Sequence, residues 1–181
     1  MTTYIAFLRA INVGGKNIIS MAELRKMLES MGYTNVQTLL QSGNVLFQGD
    51  KAKSADIETR LEQQTAKRFG LTIDYIVLTD KELADAIKSN PFGKFAKADP
   101  GRMLVLFLKS AAPKEAEKAL SQAIKGREVI AVKGNVVYAQ YPDGVGTSKL
   151  TNAVLEKHLT CRATGRNWNT VTKLMQMADA L

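Results

Sequence analysis

Cysteine, histidine and tryptophan each occur once in this 181-residue chain, at Cys161, His158 and Trp168, and proline occurs four times. One cysteine excludes an internal disulfide framework and points to a reducing compartment. One histidine and one cysteine are too few for a zinc site. Their three-residue spacing reads as the end of a helix rather than as a thiolate pair. There is no HExxH, no nucleophile elbow and no Walker A loop. The carboxylates Asp74, Asp99 and Asp143 stand apart from one another, and nothing marks an acid/base couple. No cofactor is implied. Long apolar runs are also missing: "MLVLFL" (103–108) is one buried strand, and Arg9 interrupts "MTTYIAFLRAIN", which makes it a poor signal peptide. The expectation is a soluble cytoplasmic protein with no membrane partner.

What is present is an ordinary globular composition, 45% hydrophobic and 23% charged, with a net charge of +8. The charge is uneven. Residues 1–87 carry ten Lys/Arg and ten Asp/Glu, whereas residues 88–181 carry fifteen and seven. The excess in the second half either attracts an anionic partner or solvates helix faces such as "PKEAEKALSQAIKG".

Hydrophobic periodicity gives strands at 3–9, 35–41, 45–48 and 72–78 and helices at 20–31 and 54–69. Ser20 with Glu23, and Thr79 with Glu82, have the spacing of capping boxes. The order β-α-β-β-α-β is that of a ferredoxin-like split βαβ unit. It begins again with a strand at 102–109, a helix at 113–124 opened by Pro113, and a hairpin at 127–133 and 136–141. A helix from Ser148 and another from about Asn169 follow, with no clear fourth strand between them. The expected fold is therefore α+β: a ferredoxin-like unit and a modified second copy, a pseudo-repeat. The expected division is 1–79 and 80–181, the latter with the C-terminal helices, packed as one compact unit. The segments "SGNV" (42–45) and "KGNV" (133–136) sit at matching places, and a Gly-Asn pair suits a two-residue hairpin. The turn alone needs no functional reading. "YIAFL" and "MLVLFL" are apolar on both faces, which argues against an open sheet that stacks RNA bases.

Two polar clusters stand out. The topology brings "NVGGKN" (12–17) beside "SGN" (42–44) and the approach to the fourth strand. Arg9, Asn12, Gly14, Gly15, Lys16, Ser42 and Asn44 then form either an anion nest or a glycine-bearing connector. In "YPDGVGTSKL", Ser148 and Lys149 open a helix after two glycines. "TGRNWNT" adds Arg166, Asn167 and Trp168, as a recognition pair of Arg and Trp or as a core anchor with its clamp.

The motifs "LRAINVGGKN", "TLLQSGNVLF", "NPF", "GTSKL" and "TGRNWNTVTKL", in this order, resemble a bacterial family, domain of unknown function 1697. The resemblance covers nearly the whole chain and implies a two-part α+β fold with no assigned activity. It also implies that Arg9, Asn12, Gly14, Gly15, Ser42, Gly43, Asn44, Ser148, Lys149, Arg166, Asn167 and Trp168 belong to the family signature, with Ala10 in place of a usual glycine. The leading expectation is a binding module for an anionic ligand: a nucleotide, a nucleic acid or a phosphorylated metabolite. The alternatives are an enzyme on a small phosphorylated or carboxylate substrate, and an interaction protein in which the clusters only cap the fold. Oligomeric state is left open.

Overall fold

A computed structural model describes all 181 residues. The chain divides into two compact units: Met1–Asp85 with Lys173–Leu181, and Ala86–Thr172. Unit 1 runs β1 (Thr2–Leu8), α1 (Met21–Ser30), β2 (Thr34–Leu39), β3 (Asn44–Gly49), α2 (Ser54–Phe69) and β4 (Tyr75–Thr79), then opens α3 (Asp80–Lys88). Its sheet has the order β2-β3-β1-β4, with every neighbour antiparallel. After α4 (Gly93–Ala98) and a 3-10 turn, unit 2 repeats the pattern. It has β5 (Met103–Leu108), α5 (Ala116–Ala123), β6 (Val129–Lys133), β7 (Val136–Gln140), α6 (Asn152–Leu159) and β8 (Ala163–Asn167), and it opens α7 (Trp168–Asp179), whose residues from Lys173 on belong to unit 1. Its sheet order, β6-β7-β5-β8, copies that of unit 1.

The pseudo-repeat is present, and the second copy is more complete than its sequence shows. "ATGRN", which reads as a polar loop, is β8. It pairs with β5 from Leu104↔Asn167 to Leu108↔Ala163. β5 is buried through most of its length and cannot leave a row of N–H and C=O groups without partners. That demand overrides the weak strand propensity of Gly165 and Asn167.

The register also separates the two Gly-Asn pairs. Phe7 faces Asn44, and Phe107 faces Val136. Leu8 N–H donates to Gly43 O and Leu108 N–H to Asn135 O, both at 2.9 Å. Gly43 is thus the counterpart of Asn135, one position off the sequence match. The second pair is a two-residue hairpin in which only Gly134 has positive φ, a type II′ turn. The first connection has four residues, Leu40–Gly43, with positive φ at Leu40 and Gly43. Asn44 lies inside β3, fully buried.

In unit 1, Tyr4, Ala6, Leu8, Val45 and Phe47 share a core with Leu24, Leu28, Ile57 and Leu61 of α1 and α2. In unit 2, Leu106, Leu108, Val137 and Ala139 do so with Leu120, Leu155 and Leu159. The alternate positions Ile5, Phe7, Leu46, Val105, Phe107 and Tyr138 are also at most 1% exposed, so these strands offer no open face. Three outer strands have backbone N–H groups capped by helix carboxylates. Glu62 and Glu58 accept from Tyr75 and Val77 of β4 at 3.0 and 2.9 Å. Glu156 accepts from Ala163 of β8 at 2.8 Å, and Glu117 from Val132 of β6 at 2.7 Å.

Several boundaries differ from expectation. The Thr79–Glu82 capping box forms. Ser20 caps α1 without a side-chain bond, and the Glu23 carboxylate pairs with Lys26 and Arg68 instead of reaching back to Ser20 N–H. α5 starts at Ala116, after a turn from Pro113.

Gly43 combines a φ of +78° with a Cβ position 2.7 Å from Leu8 Cβ and Ile11 Cδ1, whereas Gly134 has positive φ and open space. Gly43→Ala is expected to cost about 2–4 kcal/mol, from strain plus overpacking, and Gly134→Ala about 1–2 kcal/mol from strain alone. Urea unfolding of the two variants checks this difference.

Candidate functional site

The first cluster is assembled by one asparagine. The Asn12 Nδ2 donates to Ile19 O at 3.0 Å and to Gln41 O at 2.7 Å, and its Oδ1 accepts from Ile19 N–H at 2.9 Å. Its carboxamide ties the loop after β1 to the connection before β3, as the topology predicts. Val13-Gly14-Gly15-Lys16 closes with Lys16 N–H to Val13 O at 3.1 Å. Positive φ at both glycines makes it a type I′ turn. Asn17 donates to Ala10 O at 3.0 Å. Asn44 Nδ2 donates to Leu39 O at 2.7 Å and to Ser42 Oγ at 3.1 Å. Arg9 makes a loose ion pair with Asp74 at 4.0 Å, and its N–H donates to Asp74 O at 3.0 Å. Asn12 joins the two connections, and the amides of Asn12, Asn17 and Asn44 donate to backbone carbonyls of this region. Lys16 is the exposed cation at its tip.

The second cluster is anchored by Tyr141, whose hydroxyl donates to Leu150 O at 3.1 Å. Burial pushes its pKa up to about 12. Between these anchors the chain makes a compact loop. Gly144 N–H donates to Tyr141 O, and Ser148 N–H to Val145 O. Ser148 Oγ donates to Glu128 Oε1 and accepts from Leu150 N–H at 3.0 Å. Asp143 is held in a bidentate pair by Arg127, which lowers its pKa below the usual carboxylate range. The helix does not begin at Ser148. Thr151 caps α6, its side chain accepting from Val154 N–H at 3.3 Å, and α6 opens at Asn152. Ser148 and Lys149 therefore lie in the turn before it. They line a cleft of about 220 Å³ with Lys125, Gly126, Glu128, Asp143, Gly144 and Thr147.

Arg166, Asn167 and Trp168 do not line this cleft. Strand order puts β7 and β5 between β6, whose approach forms the cleft wall, and β8, which carries Arg166. Three strand spacings amount to roughly 14 Å. Arg166 is 8% exposed and donates to Thr164 Oγ1 at 2.7 Å and to Gly165 O at 2.9 Å. Burial lowers its pKa to about 10, which leaves it charged at neutral pH. Asn167, rather than Asn169, caps α7, accepting from Thr170 N–H at 3.0 Å. Trp168 is the first, half-buried residue of that helix. Sequence reasoning missed Lys125, Gly126 and Glu128 as cleft residues. The only signal was the polar run "KGRE" just before the hairpin.

Residues 1–138 match the family described as "Protein of unknown function (DUF1697)", and the chain belongs to it. Among solved structures, it is similar to the conserved bacterial protein SP0830 from Streptococcus pneumoniae. The two are 25% identical with a TM-score of 0.73, over 98% of each chain. No functionally curated protein matches the chain.

Ala10, where the resemblance implies glycine, sits at a φ of 54° in the left-handed region. Ala10→Gly is expected to relieve about 1 kcal/mol of strain, less what the freer unfolded chain takes back, and so to raise the unfolding midpoint slightly. A lower midpoint in a denaturant titration would contradict this reading of the loop.

Proposed function

We propose that this member of the DUF1697 family binds a small anionic ligand in the cleft formed by residues 125–128 and 143–149. One observation carries the reading. Two lysines, two hydroxyls and two glycine backbones surround a single recess whose carboxylates are already engaged. Asp143 is neutralised by Arg127, and Glu128 accepts a hydrogen bond from Ser148 Oγ. Against the charge that Glu128 keeps, Lys125 and Lys149 leave the recess with a net positive charge of one. The surrounding unit adds to it, since residues 86–172 hold fourteen Lys/Arg against six Asp/Glu. Such a field raises the local concentration of anions and their association rate. Gly144 has a φ of 95° and open space where a Cβ would lie, so no side chain of its own narrows the recess.

Size narrows the class. A cleft of about 220 Å³ lies below the usual range of roughly 300–1,000 Å³ for drug-sized ligands. It suits a phosphate, a sugar phosphate or the phosphate end of a nucleotide better than a dinucleotide. An oligonucleotide would need a longer charged track with stacking platforms.

The bond from Ser148 Oγ to Glu128 favours a second reading, an enzyme in which the carboxylate takes the hydroxyl proton and the lysines hold the substrate's charge. Turnover that is abolished by both Ser148→Ala and Glu128→Gln separates this reading from simple binding.

Thermal shift against inorganic phosphate, sugar phosphates, nucleotides and short oligonucleotides tests the proposal. A ligand at about a hundred times its dissociation constant adds about 2.7 kcal/mol, or roughly 5–10 °C for a chain of this size. The shift is expected to vanish in Lys149→Ala and to persist in Lys16→Ala. A flat panel, with the variants merely melting lower, would leave the cluster with a structural role only.

A further inference from the structure

Of the four outer strands in the two sheets, β4, β6 and β8 have N–H groups capped by glutamates of the neighbouring helices. β2 does not. Its ladder phase follows from one bond. Leu8 N–H donates to Gly43 O, so Gly43, Val45 and Phe47 turn their backbone groups toward β1. Asn44 and Leu46 therefore turn theirs toward β2, where they face Leu39 and Gln37. Val36 and Thr38 are left with N–H and C=O pointing out of the sheet. From Thr34 to Leu40 the strand has no charged residue and no proline, two common blocks to edge pairing. Its one irregularity is a register shift that sets Asn35, at a φ of 51°, and Val36 against the single residue Phe47, and the pairing is regular from Gln37 to Leu39.

We infer that β2 is a pairing edge for a second copy of this chain, forming a symmetric antiparallel dimer with a continuous sheet. A two-fold axis through Gln37 sets Val36 against Thr38 of the partner subunit, and Thr38 against Val36 of the partner subunit. Both are outward-facing positions, so four backbone hydrogen bonds form without disturbing the existing ladder. Gln37, exposed on the axis, meets its own copy, and a carboxamide can both donate to and accept from another carboxamide.

Charge supports the same axis. α1 lies over this edge, since Arg25 Nη1 donates to Thr38 Oγ1 at 2.7 Å. Glu29 is one turn further on the same side of the helix. α1 runs antiparallel to β2, and two helical residues, about 3 Å, span about one strand residue. An axis through Gln37 therefore passes near Met27. The second α1 then lies antiparallel beside the first, with Arg25 opposite Glu29 of the partner subunit and Glu29 opposite Arg25 of the partner subunit. The edge is complementary to itself in both hydrogen bonding and charge, as an isologous interface must be.

Sedimentation equilibrium over a wide dilution series reads this directly. The wild-type chain is expected at twice its 19.8 kDa mass at the concentrated end. Gln37→Lys sets two ammonium groups on the axis, and Glu29→Arg sets like charges across it. Each is expected to give a monomer at every concentration, with the unfolding midpoint of the wild-type chain diluted to its monomer, because both side chains are exposed. A wild-type monomer at every concentration, or a dimer whose mass survives both substitutions, overturns the inference.

Discussion

A strand buried on both faces must have its backbone paired on both edges, and the rest of this molecule follows from that constraint. β1 and β5 have no exposed face to give to water. An unpaired peptide group there would cost about 1–3 kcal/mol, a large fraction of a domain's net stability. So each central strand recruits one neighbour from a hairpin and another from the far end of its unit. The second recruit explains why a segment as unpromising as "ATGRN" becomes a strand. The recruited strands in turn expose an outer edge, and helix carboxylates cap it. Glu62 on Tyr75 and Glu156 on Ala163 are the same device in the two copies.

The first unit was legible in the sequence because its signals are local. Short apolar runs mark β1, β3 and β4, and the periodic Met21, Leu24 and Leu28 mark α1. The repeat was legible from its order. β8 was not, because its partner lies about sixty residues earlier and its own residues carry no strand pattern. The one-position offset between the Gly-Asn pairs was hidden too. It depends on which residue of β3 faces Phe7, and a shared "GNV" cannot report that. The return half of the box at Ser20 is absent because the Glu23 carboxylate has charged partners in Lys26 and Arg68.

Both polar clusters could be seen in the sequence, but their roles could not, since donor groups read the same whether they hold a ligand or a loop. Asn12 shows the difference. Its carboxamide nitrogen and oxygen are both used within the chain, so the "NVGGKN" loop is a scaffold with one cation, Lys16, at its tip. Around Ser148 and Lys149 the loop is anchored at its ends, by Tyr141 to Leu150, and its middle borders open space. Residues 125–128, which complete that recess, are separated from it by the β6–β7 hairpin. Their part in it is visible only once β6 and β7 are paired.

The central claim is that anions are taken up at the second cluster and not at the first. Amide chemical-shift mapping during a titration with inorganic phosphate or pyrophosphate addresses it residue by residue. The account predicts saturable shifts confined to Lys125–Glu128 and Asp143–Lys149. Saturable shifts at Gly14, Gly15 and Lys16, with the residues around Ser148 silent, would contradict it.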